Sequence, residues 1–226
     1  MNRQTKGKRF SLVIIFIIWA SLISPGAVKA AADIILDGAF GDWAGQICIP
    51  DPAGDAASQE SDLLNFCFAN NPDDPTAYFM VERPNSKGWM EIWLYLDTNN
   101  NGLYQEATDR RVRVSYKPQG NHSSVDVSLY TGSGNFIGNI ATGMDWGESM
   151  HDNGGRVEWG VSLDSLGLQA GQPIRMFVQT MLGGTISDST VEVQWSPANA
   201  LGIPILAGIL LVGSAWFVYQ RQSVRA

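Results

Sequence analysis

Between about residue 34 and residue 195, apolar and polar positions alternate in short runs broken by Gly, Asn, Asp and Pro. The runs are IIL (34–36), LLNFCFA (63–69), TAYFMVE (76–82), WMEIWLYL (89–96), RRVRVSYK (110–117), SVDVSLY (124–130), NFIGNI (135–140), RVEWGVSL (156–163), PIRMFVQTM (173–181) and TVEVQW (190–195). Several have a clean period of two. Val112, Val114 and Tyr116 oppose Arg111, Arg113 and Lys117. Val125, Val127 and Leu129 oppose Asp126 and Ser128. Val157, Trp159 and Val161 oppose Arg156 and Glu158, which puts Glu158 on a wet face. One apolar and one solvated face per strand is the pattern of antiparallel sheets. Strand 89–96 is apolar on both sides, with Trp89, Trp93 and Tyr95 opposite Met90, Ile92, Leu94 and Leu96, as in a central sandwich strand. The expected fold is all-β, a single antiparallel β-sandwich. Only 163–168 reads as a helical turn between the chain ends, and there is no internal repeat.

The ends are different. Arg3, Lys6, Lys8 and Arg9 precede the uncharged run Phe10 to Ile23, and small residues follow, with Val28 and Ala30, or Ala30 and Ala32, at the −3 and −1 positions of a cut. That is the layout of a secretory signal peptide over 1–32. The run is short for a membrane span, which needs ~20 residues. Residues 200–219 are that long and carry no charge. They predict one C-terminal transmembrane helix, with Trp216 and Tyr219 at an interface and Arg221 and Arg225 in a short basic cytoplasmic tail, 220–226. The expected topology is a cell-membrane protein, single-pass, whose extracytoplasmic domain spans 33–199. No LPxTG sorting motif precedes Ala200.

This topology changes the meaning of the charge. All 22 acidic residues fall within 33–199, with only eight of the 15 Lys and Arg, so the exported part carries −14 against −7 for the chain. Such a surface disfavours nucleic acid and anionic headgroups and favours divalent cations. Cys48 and Cys67, an even pair in an exported domain, predict a disulfide; the alternative is two unpaired buried thiols. Catalysis is not expected. The two histidines, His122 and His151, sit in polar turns, and both cysteines are better assigned to a bridge. Zinc would need more His or Cys than remain. Among so many acids, none is singled out as a glycosidase pair.

Those acids include one patterned loop. In LYLDTNNNGLYQEATDRRVRV, Asp97, Asn99 and Asn101 stand at positions 1, 3 and 5, Gly102 at the sharp turn of position 6, and Leu103 offers a carbonyl at 7. This matches the first half of a calcium loop. Position 12 is Thr108 rather than Glu, so Asp109 closes the set, and no helices flank it. Ca2+ is expected as a structural ion, with a Kd of order 10⁻⁴–10⁻³ M, as in extracellular modules. The competing reading is a metal-free Asn/Asp/Gly turn. A second, weaker candidate is Asp51, Asp55 and Asp62.

The order ILDGAFGDW, DPAGD, IWLYLDTNNNG and VEWGVSLDSLGL resembles the carbohydrate-binding family 9-like modules, related to the DOMON superfamily, over about residues 34–181. The resemblance implies a β-sandwich, structural calcium and a binding role. Members hold sugars between aromatic rings, which makes Trp89, Trp93 and Trp146 the candidate ligand-binding residues. For strand 89–96, whose two faces are both apolar, core packing is the expected role of the rings; Trp146, beside Asp145 and Glu148, is expected to be exposed. Haem-binding relatives use Met and His, but the spacing of His122, His151, Met144 and Met150 does not support that here. The expected function is a membrane-anchored binding module for carbohydrate. The alternative is an envelope component that binds protein and no small molecule. Asn121-His122-Ser123 is formally a glycosylation sequon.

Overall fold

The computed structural model describes residues 32–72, 74–119, 122–142 and 154–197. The signal-like segment, the 200–219 segment, Trp146, His151, Met144 and Met150 lie outside them. Among the described residues no helix is long and apolar enough to cross a membrane.

The described chain is all-β. Strands β1 (Ile47–Pro50), β2 (Asn65–Asn70), β3 (Thr76–Glu82) and β8 (Arg156–Ser162) form a small antiparallel sheet in that order. The larger sheet has the order β10 (Thr185–Ser189), β9 (Ile174–Leu182), β4 (Met90–Asp97), β5 (Arg110–Gln119), β6 (His122–Thr131) and β7 (Phe136–Thr142), and β11 (Val193–Trp195) also pairs with β9. Its neighbours are antiparallel too.

The alternating residues explain why the two sheets share one core. Ile92, Leu94, Val112, Val114, Val125, Val127, Met176 and Val178 of the larger sheet meet Phe66, Phe79, Val81, Val157 and Trp159 of the smaller one, all at most 1% exposed. Phe79 lies against Trp159 at 5.8 Å, and Trp195 closes the stack against Phe68 at 5.4 Å. Burying each such ring or aliphatic side chain contributes ~1.5–3 kcal/mol.

The outer face of the small sheet is not wet, which corrects the expectation for Glu158. The N-terminal segment lies over it, and Ile34, Phe40 and Trp43 pack on Cys67, Ala69, Tyr78 and Met80. Glu158 is fully buried beneath that layer. Its carboxylate accepts the N–H groups of Asp37 (3.1 Å) and Gly38 (2.9 Å) and the Trp43 indole N–H (2.7 Å). Burial raises the Glu158 pKa, and these donors oppose the shift. DGAFGDW and VEWG, two distant motifs, thus meet at one carboxylate.

Cys48 and Cys67 face each other across β1 and β2 and form a disulfide. The bridge ties an edge strand, mostly exposed, to the buried β2. Replacing both cysteines with Ala is expected to lower the unfolding free energy by about 3 kcal/mol. A urea midpoint that does not move would show that pairing alone holds β1.

Arg83, directly after β3, is 2% exposed. Its guanidinium donates to the carbonyls of Gly154 (2.8 Å), Glu60 (2.6 Å), Ser86 (3.0 Å) and Gly88 (2.8 Å) and lies 5.3 Å from the centre of the Tyr116 ring. One side chain therefore holds three loop segments together.

Candidate functional site

The odd positions of β4 point away from the core. Met90, Ile92, Leu94 and Leu96 are buried, while Glu91, Trp93 and Tyr95 are partly exposed. The expectation of core packing for Trp89, Trp93 and Tyr95 is thereby corrected. Leu94 pairs between Val112 and Val178, so the aliphatic phase of β4 is the one that continues the core. The rings share the outer face with Arg111 and Arg113 of β5, Tyr130 of β6, and Phe177 and Gln179 of β9.

These rings form an unbroken ladder. Phe136 contacts Tyr130 (5.4 Å between centres), Tyr130 contacts Trp93 (5.2 Å), and Trp93 contacts Tyr95 (6.5 Å). Tyr95 stacks nearly parallel on Phe177 at 4.8 Å, and Tyr104 meets Phe177 edge-on at 4.8 Å. Trp93 and Tyr130 belong to strands with β5 between them, ~10 Å apart, so their rings meet over β5. Each ring pair contributes ~0.5–1.5 kcal/mol beyond its buried area.

Polar partners fix the face. The Trp93 indole donates to Glu91 (2.7 Å), and Arg113 donates to both oxygens of Glu91 (3.2 and 3.1 Å). The Tyr104 hydroxyl donates to Glu192 (2.7 Å), and burial and that carboxylate together raise its pKa. Arg175 reaches the other oxygen of Glu192 at 3.5 Å. The guanidinium of Arg111 lies 5.1 Å from the centre of the Tyr95 ring. A groove of about 700 Å³ runs between this face and the segment from Gly102 to Glu106, lined by Tyr95, Leu103, Tyr104, Arg111, Phe177 and Gln179. Trp89, 45% exposed, lies outside the groove with its indole on the Ser115 hydroxyl (2.8 Å).

The DTNNNG loop forms one wall. Asp97 and Asp109 are fully buried. Asp97 accepts the N–H groups of Asn101 (3.1 Å) and Gly102 (2.6 Å), and Asp109 those of Thr98 (3.2 Å) and Glu106 (2.9 Å). The side-chain oxygens of Asn99 and Asn101 accept the N–H groups of Asn101 and Leu103, and the two amides donate to Glu106. Gly102, at φ 87°, makes the turn. Gly132, in the β6–β7 turn, packs so closely that a Cβ there would lie 2.5 Å from the Asp109 side chain. Four of the five residues expected as ligands thus converge, with Glu106 added. The fifth, Leu103, is exposed and borders the groove. Burial raises the Asp109 pKa, and the charges of Asp97 and Glu106 add to it.

The second acidic group assembles differently from its sequence spacing. Asp51 and Asp55 meet Asp188 of β10, and one oxygen from each lies within 4.8 Å of the others. Asp62 sits alongside, with both oxygens on the Gly54 N–H (3.0 Å). Asp188 accepts the N–H groups of Leu63 (2.7 Å) and Ser189 (2.7 Å), whereas one oxygen of Asp51 is buried with no hydrogen-bond partner. Burial and the neighbouring charges of Asp188, Asp55 and Asp62 push the Asp51 pKa up to about 6. The cluster lies where the β1–β2 connection docks on the opposite sheet, beside Thr180 donating to the Ser61 carbonyl (2.6 Å). Nothing local marks Asp188. It is 125 residues from Leu63, and only the tertiary fold joins them.

Searches of protein-family models, curated proteins and solved structures find no match to this chain.

Proposed function

We propose that this chain is a binding module for carbohydrate, without catalysis, anchored to a membrane by its 200–219 segment. The observation that carries the reading is the outward turn of the aromatic phase of β4. Six rings in contact are displayed on a solvent-facing sheet beside a groove, although the same strand has an aliphatic core phase. Aromatic side chains combine an apolar ring with a polar tip, which suits ligands that have both C–H faces and hydroxyls. Gln179 and the Tyr104 hydroxyl supply hydrogen-bonding groups at the groove, as binding sites with a few placed polar groups do. The resemblance of the motif order to that of family 9-like modules agrees with this reading.

The proposed cation is Ca2+, held between Asp51, Asp55 and Asp188. The oxygen spacing there suits a cation with 2.3–2.6 Å ligand bonds, and Asp51 has a spare buried oxygen. In the DTNNNG loop Asp97, Asn99, Asn101 and Asp109 all accept backbone amides, whereas in the carboxylate cluster Asp188 does so but Asp51 keeps a buried oxygen without a partner, which favours the cluster. Calcium there would join the β1–β2 connection to β10 and act structurally.

Glycan-array binding of the full-length chain tests the sugar reading. The expected result is retention on a subset of polysaccharides, weakened at least about tenfold in Tyr104→Ala, since a well-placed ring contributes ~1–2 kcal/mol. Retention on none would remove it and leave the structural envelope role.

A further inference from the structure

Arg111 stands apart from the other cations on its face. Arg113 is paired with Glu91 and Arg175 with Glu192. Arg111 makes no hydrogen bond or ion pair to any described residue, and its Nε is buried without a partner. Its described contact is with the Tyr95 ring, in the middle of the ladder, and it lines the groove. An arginine stacked on an aromatic ring is held in place while its planar fork of N–H donors stays available. The acid that lines the groove, Glu106, is engaged by the amides of Asn99 and Asn101.

We propose that the groove selects an acidic saccharide, and that Arg111 binds the carboxylate of one uronate unit. This rests on the carbohydrate reading and sharpens it. The fork geometry matches a planar carboxylate in a bidentate pair, a strong form of hydrogen bond. Tyr95, which the guanidinium lies over, stacks on Phe177, and Phe177 meets Tyr104, so the ring of the same sugar unit has apolar surface to lie on beside the arginine. The charge balance sets the limit on the ligand. An exported part with eight basic and 22 acidic residues repels a polyanion. One uncompensated guanidinium takes one carboxylate, so the favoured ligand is a mainly neutral glycan with isolated uronates.

The test compares two trisaccharides, one with a single glucuronate and the other its carboxyl-reduced, neutral counterpart. Both are titrated calorimetrically into the full-length chain in a detergent without a sugar headgroup. The acidic form is expected to bind at least about tenfold more tightly. That ratio is expected to fall to near one in Arg111→Met and to be partly kept in Arg111→Lys, which retains the charge without the fork. Arg111 donates no hydrogen bond to the described residues, and thermal melts of both variants check that they stay folded. Equal binding of the two forms by the unaltered chain, or a preference that survives Arg111→Met, overturns the assignment while leaving carbohydrate binding intact. If neither trisaccharide binds and the glycan array is also blank, the carbohydrate reading and the Arg111 assignment fall together. If neutral glycans bind the array but the glucuronate form is rejected, only the Arg111 assignment falls.

Discussion

Arg83→Met is expected to reduce the unfolding free energy by about 3–5 kcal/mol. The guanidinium is a buried charge, and burial lowers its pKa below the usual arginine range. No carboxylate pairs with it among the described residues. What compensates its desolvation is a set of four carbonyls, from Glu60, Ser86, Gly88 and Gly154, together with the Tyr116 ring. Met preserves the stem volume and removes the cost of burying a charge. It also orphans four carbonyls in partly or fully buried positions, each costing ~1–3 kcal/mol when dry. The second effect outweighs the first because four acceptors lose their donor at once. Arg83→Lys keeps the charge but cannot span acceptors on three segments with one ammonium, so it is expected to recover less than half of the loss. Urea unfolding of the full-length chain measures both. A loss under about 1 kcal/mol in Arg83→Met would mean that water satisfies these carbonyls and that the arginine is no hub.

Where local alternation was clean, the strands were legible. TAYFMVE and β3 share the bounds 76–82, and RVEWGVS is β8. ICIP was not legible. β1 is mostly exposed and forms as an edge of β2, so no burial pattern marks it. IIL at 34–36 belongs to a covering layer instead of a strand, because its burial comes from packing on the outer face of the small sheet. TVEVQW shrinks to β11 because at Thr190 the hydroxyl replaces the main-chain carbonyl as acceptor of the Val178 N–H (3.0 Å), although the Thr190 N–H still donates to the Val178 carbonyl (3.0 Å). A preceding strand, β10, forms instead over TISDS, with a register shift between Ile186 and Asp188.

The site was legible in its residues but not in its orientation. A strand apolar on both faces carries no internal sign of which face is the core. The sign lies in β5, where Val112 and Val114 oppose Arg111 and Arg113, and it transfers to β4 only through the register Leu94–Val112. Pairing the two strands on paper would have turned Trp93 and Tyr95 outward. No such step reaches Phe177, Tyr104 or Asp188, whose positions depend on contacts between segments distant in sequence.

At pH 7 calcium is expected to raise the melting temperature of the full-length chain by roughly 5–10 °C over the chelated chain, when present at about a hundred times its Kd. That concentration corresponds to ~2.7 kcal/mol for an ion binding only the native state. The pH dependence identifies the site. The Asp51 carboxyl is raised from 3.8 to about 6 in the folded chain. The native state therefore holds this proton at pH values where the unfolded chain has released it. Without calcium, the contribution is fully present below about pH 4 and is lost as pH rises to about 6. After discounting for partial exposure it amounts to ~1–2 kcal/mol. Burial raises Asp188 and Asp109 in the same sense. Calcium takes the place of the proton, so its stabilising effect should fade as pH falls from 7 to 5, where Asp51 is protonated. Asp188→Asn should erase the calcium response and flatten the chelated profile between pH 4 and 6. Asp97→Asn should weaken the fold with and without calcium alike, because that carboxylate already serves the Asn101 and Gly102 amides. The reverse outcome, a response lost in Asp97→Asn and kept in Asp188→Asn, would move the ion to the DTNNNG loop. Equal melting temperatures with calcium and with chelator would leave the acidic cluster as a proton-sensitive junction between the two sheets.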